Sequence, residues 1–288
     1  MLAIATYEVP RDAEAGLASL REALELARRS GVTPHVDIVL DNIALTLWTT
    51  GGWDELRAML RDIAEAPARA DWSIYAVICA WLSEATGVAD GSDTEPGQTP
   101  GIGEVGLAEW VAALEAAQLR AAGQPAAAAA AAQVALQHAL ASEGIEDDFV
   151  RIWPDAVLCA LNADNFDLAE RMLEPVAAAA PGLVTPAVHA QHLRLRGLVA
   201  AARPQADPDD VLADLRAAID ALGAYGAVPD RARTQEALAR WLVAQGRAED
   251  AAPLLAEARA TYEKLGAAQW LLRLDQMAEG SHAQPTGA

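Results

Sequence analysis

Leu238-Ala239-Arg240-Trp241-Leu242-Val243-Ala244-Gln245-Gly246-Arg247-Ala248-Glu249-Asp250-Ala251-Ala252-Pro253-Leu254-Leu255-Ala256-Glu257-Ala258 decides the fold class. Its apolar residues recur at three and four positions, the period of a helix that buries one face. Gly246 interrupts the period, and Glu249-Asp250 follow it where acids complement the exposed amides of a new helix start. Small residues then recur at Ala251 and Ala258, where two helices could approach closely. The stretch therefore reads as helix, tight turn, helix.

The same grammar extends outward in both directions. Thr49-Thr50-Gly51-Gly52-Trp53-Asp54-Glu55-Leu56, Ala121 to Ala128 and Ala163 to Ala169 each give a helix end, a turn residue and a small or acidic restart. Gly31 closes a first helix around Leu17, Leu20, Leu24 and Ala27, and Pro34 opens the next. Further helices are predicted at about 34–50, 53–66, 72–86, 105–122, 125–143, 147–163, 166–180, 185–202, 207–225, 229–245, 248–265 and 267–277 by that period. No segment alternates apolar with polar residues for long, so no strands are predicted. Gly123 to Asp164 spans 41 residues, Asp164 to Pro204 spans 40, and Pro204 to Gly246 spans 42. A recurring interval of that length marks stacked repeats, each burying its apolar face on its neighbours. The expected fold is all-α: an α-solenoid of antiparallel helix hairpins.

Composition agrees and excludes other classes. The 288 residues are 53% hydrophobic but only 5% aromatic, with 2 Phe and 4 Tyr, which argues against a sandwich or barrel. Mean hydropathy of +0.11 argues against disorder. Net charge is −20, from 21 basic and 41 acidic residues, and no segment is basic. Phosphate backbones and anionic membranes are thus disfavoured as partners. Met1 to Val9 has no signal-peptide character, and no apolar run reaches the length of a membrane span, so a cytoplasmic location is expected. Met1 to Val9 reads as a helix cut into rather than started, as in a piece of a longer chain.

The turns resemble the tetratricopeptide repeat. Leu238-Ala239, Leu242, Gly246, Ala251 and Ala258 stand where that family places its apolar and small pair, large apolar residue, turn glycine and two small residues. Asn42-Ile43-Ala44 with Gly51, Trp53-Asp54-Glu55 and Ile63 is a second match. The interval is longer than the standard repeat of roughly 34 residues, as in longer-helix variants. Leu215 to Ile219, Trp241 to Arg247, Ala251 to Ala258 and Leu265 to Trp270 are similar to the C-terminal helical regions of large bacterial signalling ATPases. These include forms with an adenylate/guanylate cyclase domain and forms related to maltose-type transcription activators.

That resemblance implies the regulatory or sensor arm of such a protein: a non-catalytic scaffold for protein or peptide binding, without cofactor. Its partners would be a protein or peptide, acidic if arginines in its groove receive it, and the ATPase or cyclase modules of a longer parent chain. The alternative is a small-molecule sensor, or an unrecognised enzyme, with a pocket between hairpins. Residues 1–86 form N-terminal hairpins, 87–104 a Gly/Pro-rich connector, 105–279 the C-terminal array and 280–288 a disordered tail, in this reading.

Chemical motifs are sparse. Gly101-Ile102-Gly103-Glu104-Val105-Gly106 matches the dinucleotide fingerprint in letters, but a Pro/Gly linker rather than a strand precedes it. Lys264 is the sole lysine and no P-loop exists. His189 and His192 share a helix face without a third ligand, so no metal is expected. Cys79 and Cys159 lie on apolar helices as small core residues. Glu146-Asp147-Asp148 and Asp207-Pro208-Asp209-Asp210 read as helix caps. Most tryptophans fall at core positions, with Trp48 turned toward the inner groove. The repeat register puts Asp41, Trp48, Arg151, Gln191, Arg194, Arg233, Glu236 and Arg240 on that groove. Four of the eight are arginine, which suits a carboxylate-bearing partner.

Overall fold

The structure is a computed structural model and describes residues 1–31, 33–64, 73–88, 108–145 and 148–282. Among these residues it is all-α, without a strand. The helices are α1 (Leu2–Glu8), α2 (Ala13–Ser30), α3 (Thr33–Thr50), α4 (Trp53–Ala64) and α5 (Ser73–Thr86). After these come α6 (Ala108–Ala121), α7 (Pro125–Glu143), α8 (Asp148–Asn162), α9 (Phe166–Arg171) and α10 (Glu174–Ala177). The chain ends with α11 (Pro186–Ala201), α12 (Pro208–Tyr225), α13 (Val228–Ala244), α14 (Ala248–Leu265) and α15 (Ala268–His282). No described helix is long and apolar enough to cross a membrane.

Local chemistry sets the boundaries. Asp12 caps α2 by accepting from the Ala15 amide at 3.0 Å, and Gly31 ends it in the left-handed conformation. Asp207 caps α12 by accepting from the Asp209 amide, with Pro208 in the first turn, where its missing N–H costs nothing. Thr185 caps α11 in the same way.

The expected helix over 166–180 is instead broken. α9 stops at Arg171, α10 spans four residues, and a 3₁₀ turn follows at Pro181–Leu183. Pro175 is the cause: it has no N–H for the Arg171 carbonyl, and its ring crowds that carbonyl. The break leaves the Met172 carbonyl free to accept from Trp153 Nε1 at 2.6 Å. Most of the expected connector 87–104, the Gly101 to Gly106 motif, Glu146, Asp147 and residues 283–288 lie outside the described residues.

Helices pack mainly on their neighbours in sequence: α6 on α7, α7 on α8, α11 on α12, α12 on α13 and α13 on α14. These crossings use small residues. Gly197 of α11 lies so close to α12 that a Cβ there would stand 2.7 Å from Leu215 Cδ2. A second set of contacts joins the two ends of the chain. α3 packs on α13 and α5 on α15. Tyr225 Oη donates to the Val9 carbonyl at 3.0 Å, the Ala187 amide to Pro10 at 3.0 Å, and Arg57 Nη2 to Leu265 at 3.2 Å. One buried apolar cluster consequently runs from Ala5 to Leu274.

Candidate functional site

The helices bound a cavity of about 1540 Å³ that is partly open to solvent. Two of them contribute long faces at helical spacing. α3 offers Val39, Asn42, Leu45, Trp48 and Thr49, and α8 offers Val150, Arg151, Pro154, Asp155, Leu158 and Asn162. Ala187, Gln191 and Arg194 of α11, with Asp230 and Arg233 of α13, also line the cavity. Pro154 has no N–H, so the Val150 carbonyl at this wall lacks its helical donor.

One wall is aromatic. Trp48 stacks on Trp53 at 4.8 Å between centroids and tilts against Trp81 at 5.5 Å. Trp270 meets Trp48 edge-on at 6.4 Å, Trp53 at 5.5 Å and Tyr262 at 5.2 Å. Trp48, Trp81 and Trp270 all line the cavity, so helices from both ends of the chain build this wall.

The polar lining inverts the charge of the whole molecule. It holds Arg11, Arg120, Arg151, Arg194 and Arg233 against the carboxylates of Glu84, Asp155 and Asp230. Arg120 binds Glu84 at 2.8 Å and Asp155 at 2.6 Å. Burial lowers its proton affinity, but Asp155, Glu84 and Cys159 outweigh this and raise it, so Arg120 is a permanent cation. Arg194 is 2% exposed; its Nη1 donates to Gln191 Oε1 and pairs with Asp230 Oδ1, both at 3.1 Å. Gln191 Nε2 donates to the other Asp230 oxygen at 2.6 Å. Burial pulls Arg194 below the usual guanidinium range, Asp230 opposes that, and neighbouring Arg233 adds to it. Arg233 lies over Trp270 at 5.2 Å, and Arg151 reaches only Asn42 Oδ1, at 3.4 Å. Neither has a carboxylate at ion-pair distance among the described residues.

Of the residues expected on the groove, Trp48, Arg151, Gln191, Arg194 and Arg233 line the cavity. Asp41, Glu236 and Arg240 do not. Asp230 and Arg233 already use the inward face of α13, and Glu236, one further turn on, drifts toward α14. It is 3% exposed there, accepting from Tyr262 Oη at 2.6 Å and from Arg240 Nη2 at 2.5 Å. Arg240 folds back to it with its side chain 61% exposed. Asp41 sits on α3 between the inward positions Val39 and Asn42. Sequence reasoning missed Asn42, Arg120, Asp155 and Asp230; it read Trp270 as core, and Trp270 is 1% exposed although it also touches the cavity. Three-residue spacing between Asp230 and Arg233 was the one local signal available for this set.

Other candidates are settled by burial. Cys159 is 1% exposed and accepts from Arg120 at 3.4 Å. Burial first, then Asp155, push its thiol up to about 12, so it stays protonated near neutrality. His192 packs against Trp153 at 6.2 Å. Burial, Arg196 and His189 hold it below the usual imidazole value. No group of three or more His, Cys, Asp or Glu that could hold a metal occurs among the described residues.

No protein-family model matches the chain, and no curated protein sequence matches it. Among solved structures, BtubC (BKLC) from P. vanneervenii aligns over 96% of this chain and 96% of its own, with 16% sequence identity. The TM-score is 0.38, too low to carry fold or function from one chain to the other.

Proposed function

We propose that this chain is a non-catalytic sensor module that takes its ligand into the cavity between its helices. In this reading it is an α-solenoid of tetratricopeptide-like hairpins whose two ends meet. It serves in the cytoplasm as the regulatory arm of a bacterial signalling ATPase, cyclase or transcription regulator. The resemblance of the turns, their regular interval and the packing of neighbouring helices support the repeat architecture. The observation that carries the ligand-binding reading is the cavity itself: three lining tryptophans beside convergent polar groups, bounded by both ends of the chain. A ligand in contact with both ends would stabilise their association, which is how binding could be signalled to attached modules.

A second reading, a scaffold for an acidic peptide, is favoured by cavity size. The volume of about 1540 Å³ exceeds the roughly 300–1000 Å³ of common small-ligand pockets. Asn42, Thr49 and Asn162 at the wall could serve a peptide backbone. Affinity selection from a metabolite and peptide library, comparing wild type with Asn42→Trp, tests both. Species retained by wild type and lost from the filled cavity support binding there, and their chemistry separates the two readings. Equal retention contradicts cavity binding, and ATP hydrolysis or cyclisation by the purified chain contradicts the non-catalytic assignment.

A further inference from the structure

We propose that the corner of the cavity formed by Arg194, Arg233 and Trp270 is a carboxylate-binding subsite, and that the ligand is an amphipathic organic acid. Its apolar body would lie along Trp48 and Trp81. This rests on the reading that the cavity takes a ligand, and it adds which group is recognised and where.

The corner has donors without acceptors. Arg194 Nε and Trp270 Nε1 are buried and have no hydrogen-bond partner among the described residues. Arg233 makes no hydrogen bond or ion pair among them either; its one contact of note is the Trp270 ring. The nearest carboxylate is already used. Asp230 Oδ1 accepts from Arg194 and Oδ2 from Gln191, and neither oxygen lies at ion-pair distance from Arg233. Glu236, next along α13, is engaged by Tyr262 and Arg240. Buried donors in native proteins are normally satisfied. Arg194 and Trp270 both line the cavity and both neighbour Arg233, so an acceptor entering beside Arg233 would be their partner.

Charge and rigidity narrow the class. Arg194 and Arg233 carry two positive charges and Asp230 one negative, which leaves one cation for a monoanion to neutralise. A phosphate dianion would exceed that balance beside Asp230. A guanidinium fork matches the two oxygens of a carboxylate. The donors are also held in advance: Arg194 is clamped by Gln191 and Asp230, and Arg233 is carried on the face of Trp270. Little ordering would be required when the anion arrives. Trp48 and Trp81, which also line the cavity, offer apolar surface to the remainder of the molecule.

The probes are octanoate, dodecanoate and hydrocinnamate, each set against its primary amide, with octyl phosphate and an acetylated leucine-rich tetrapeptide acid as further arms. Binding is read by calorimetry and by tryptophan fluorescence. At least one acid should bind one to one, with its amide weaker by about tenfold or more. Arg233→Met should lose about the same factor and Arg233→Lys less, because the charge remains while the fork is lost. Arg216→Met, at an exposed arginine of α12 outside the cavity, should leave affinity unchanged. Acid and amide binding equally would overturn the subsite while leaving cavity binding intact, as would Arg233→Met binding as tightly as wild type. Tighter binding of octyl phosphate or the tetrapeptide than of every acid, or no binding by any acid, would overturn the organic-acid assignment. The library selection with Asn42→Trp stands apart from these outcomes.

Discussion

The α6–α7 pair and the meeting of the chain ends solve the same packing problem with opposite materials. α6 presents Ala112, Ala113, Ala116 and Ala117, and α7 presents Ala128, Ala129, Ala132, Ala135 and Ala139, all buried. Each alanine contributes little area, but together they bring two backbones close. At the ends, Trp48, Trp53, Trp81, Tyr262 and Trp270 fill the space between α3, α4, α5, α14 and α15. The first interface spreads its stability over many small contacts; the second concentrates it in a few large ones. Single substitutions should therefore be tolerated in α7 and be severe at the ends.

The largest expected effect is Trp270→Ala. Trp270 is 1% exposed and touches three other aromatic rings, so its loss should cost about 3–5 kcal/mol in urea unfolding. It should also expand the molecule in small-angle scattering as the ends part. An unchanged radius would mean that the rings fill space without holding the ends together. Gly51→Ala comes next. Gly51 has φ of +78°, and a Cβ there would stand 2.9 Å from Leu265 Cδ2, across the meeting of the ends. Gly123 has φ of +70° and open space around it, so Gly123→Ala carries the backbone strain alone, about 1 kcal/mol. Gly51→Ala should cost more than Gly123→Ala, and equal costs in parallel melts would show no close approach of the ends at that point. Within α7, Ala132→Gly should cost only about 1 kcal/mol, chiefly helix propensity.

The smallest effect is one of pH. His192 is held below its ordinary value by burial first, then by Arg196 and His189. Below about pH 6.5 the unfolded chain therefore binds more protons at this position than the folded one. Stability from this group is present above that pH and is lost as pH falls toward the folded value. Melting temperatures taken on either side of that window should drop on acidification, and His192→Gln should reduce the drop.

What sequence reading could reach follows from the range of the interactions. Gly31, Gly123, Gly226 and Gly246 announce turns because a positive φ is a local demand, and the three-and-four spacing of Leu17, Leu20 and Leu24 announces a buried face. Pro175 was equally local, but the apolar period around Met172, Leu173 and Val176 masked it. Helical spacing on α8 and α11 pointed inward at Arg151, Gln191 and Arg194, which line the cavity; on α3 it pointed at Trp48, which does, and at Asp41, which does not. Contact between Trp270 and Trp48 was not legible, nor was the pairing of Arg120 with Asp155. Both depend on how many helices intervene and how far each turns the chain, which no single residue spells out.

That the two ends of the chain meet is the central claim, and an engineered disulfide tests it most directly. A Cβ built on Gly226 would lie 3.8 Å from Ala13 Cβ, near the centre of the range for cystine bridges. The variant carries Ala13→Cys and Gly226→Cys, with Cys79 and Cys159 replaced by alanine. It should oxidise within one chain under mild conditions, losing both free thiols and two hydrogens by mass while keeping its helical spectrum. Two thiols that stay free in the folded protein, or that bridge only between molecules, would contradict the meeting of the ends.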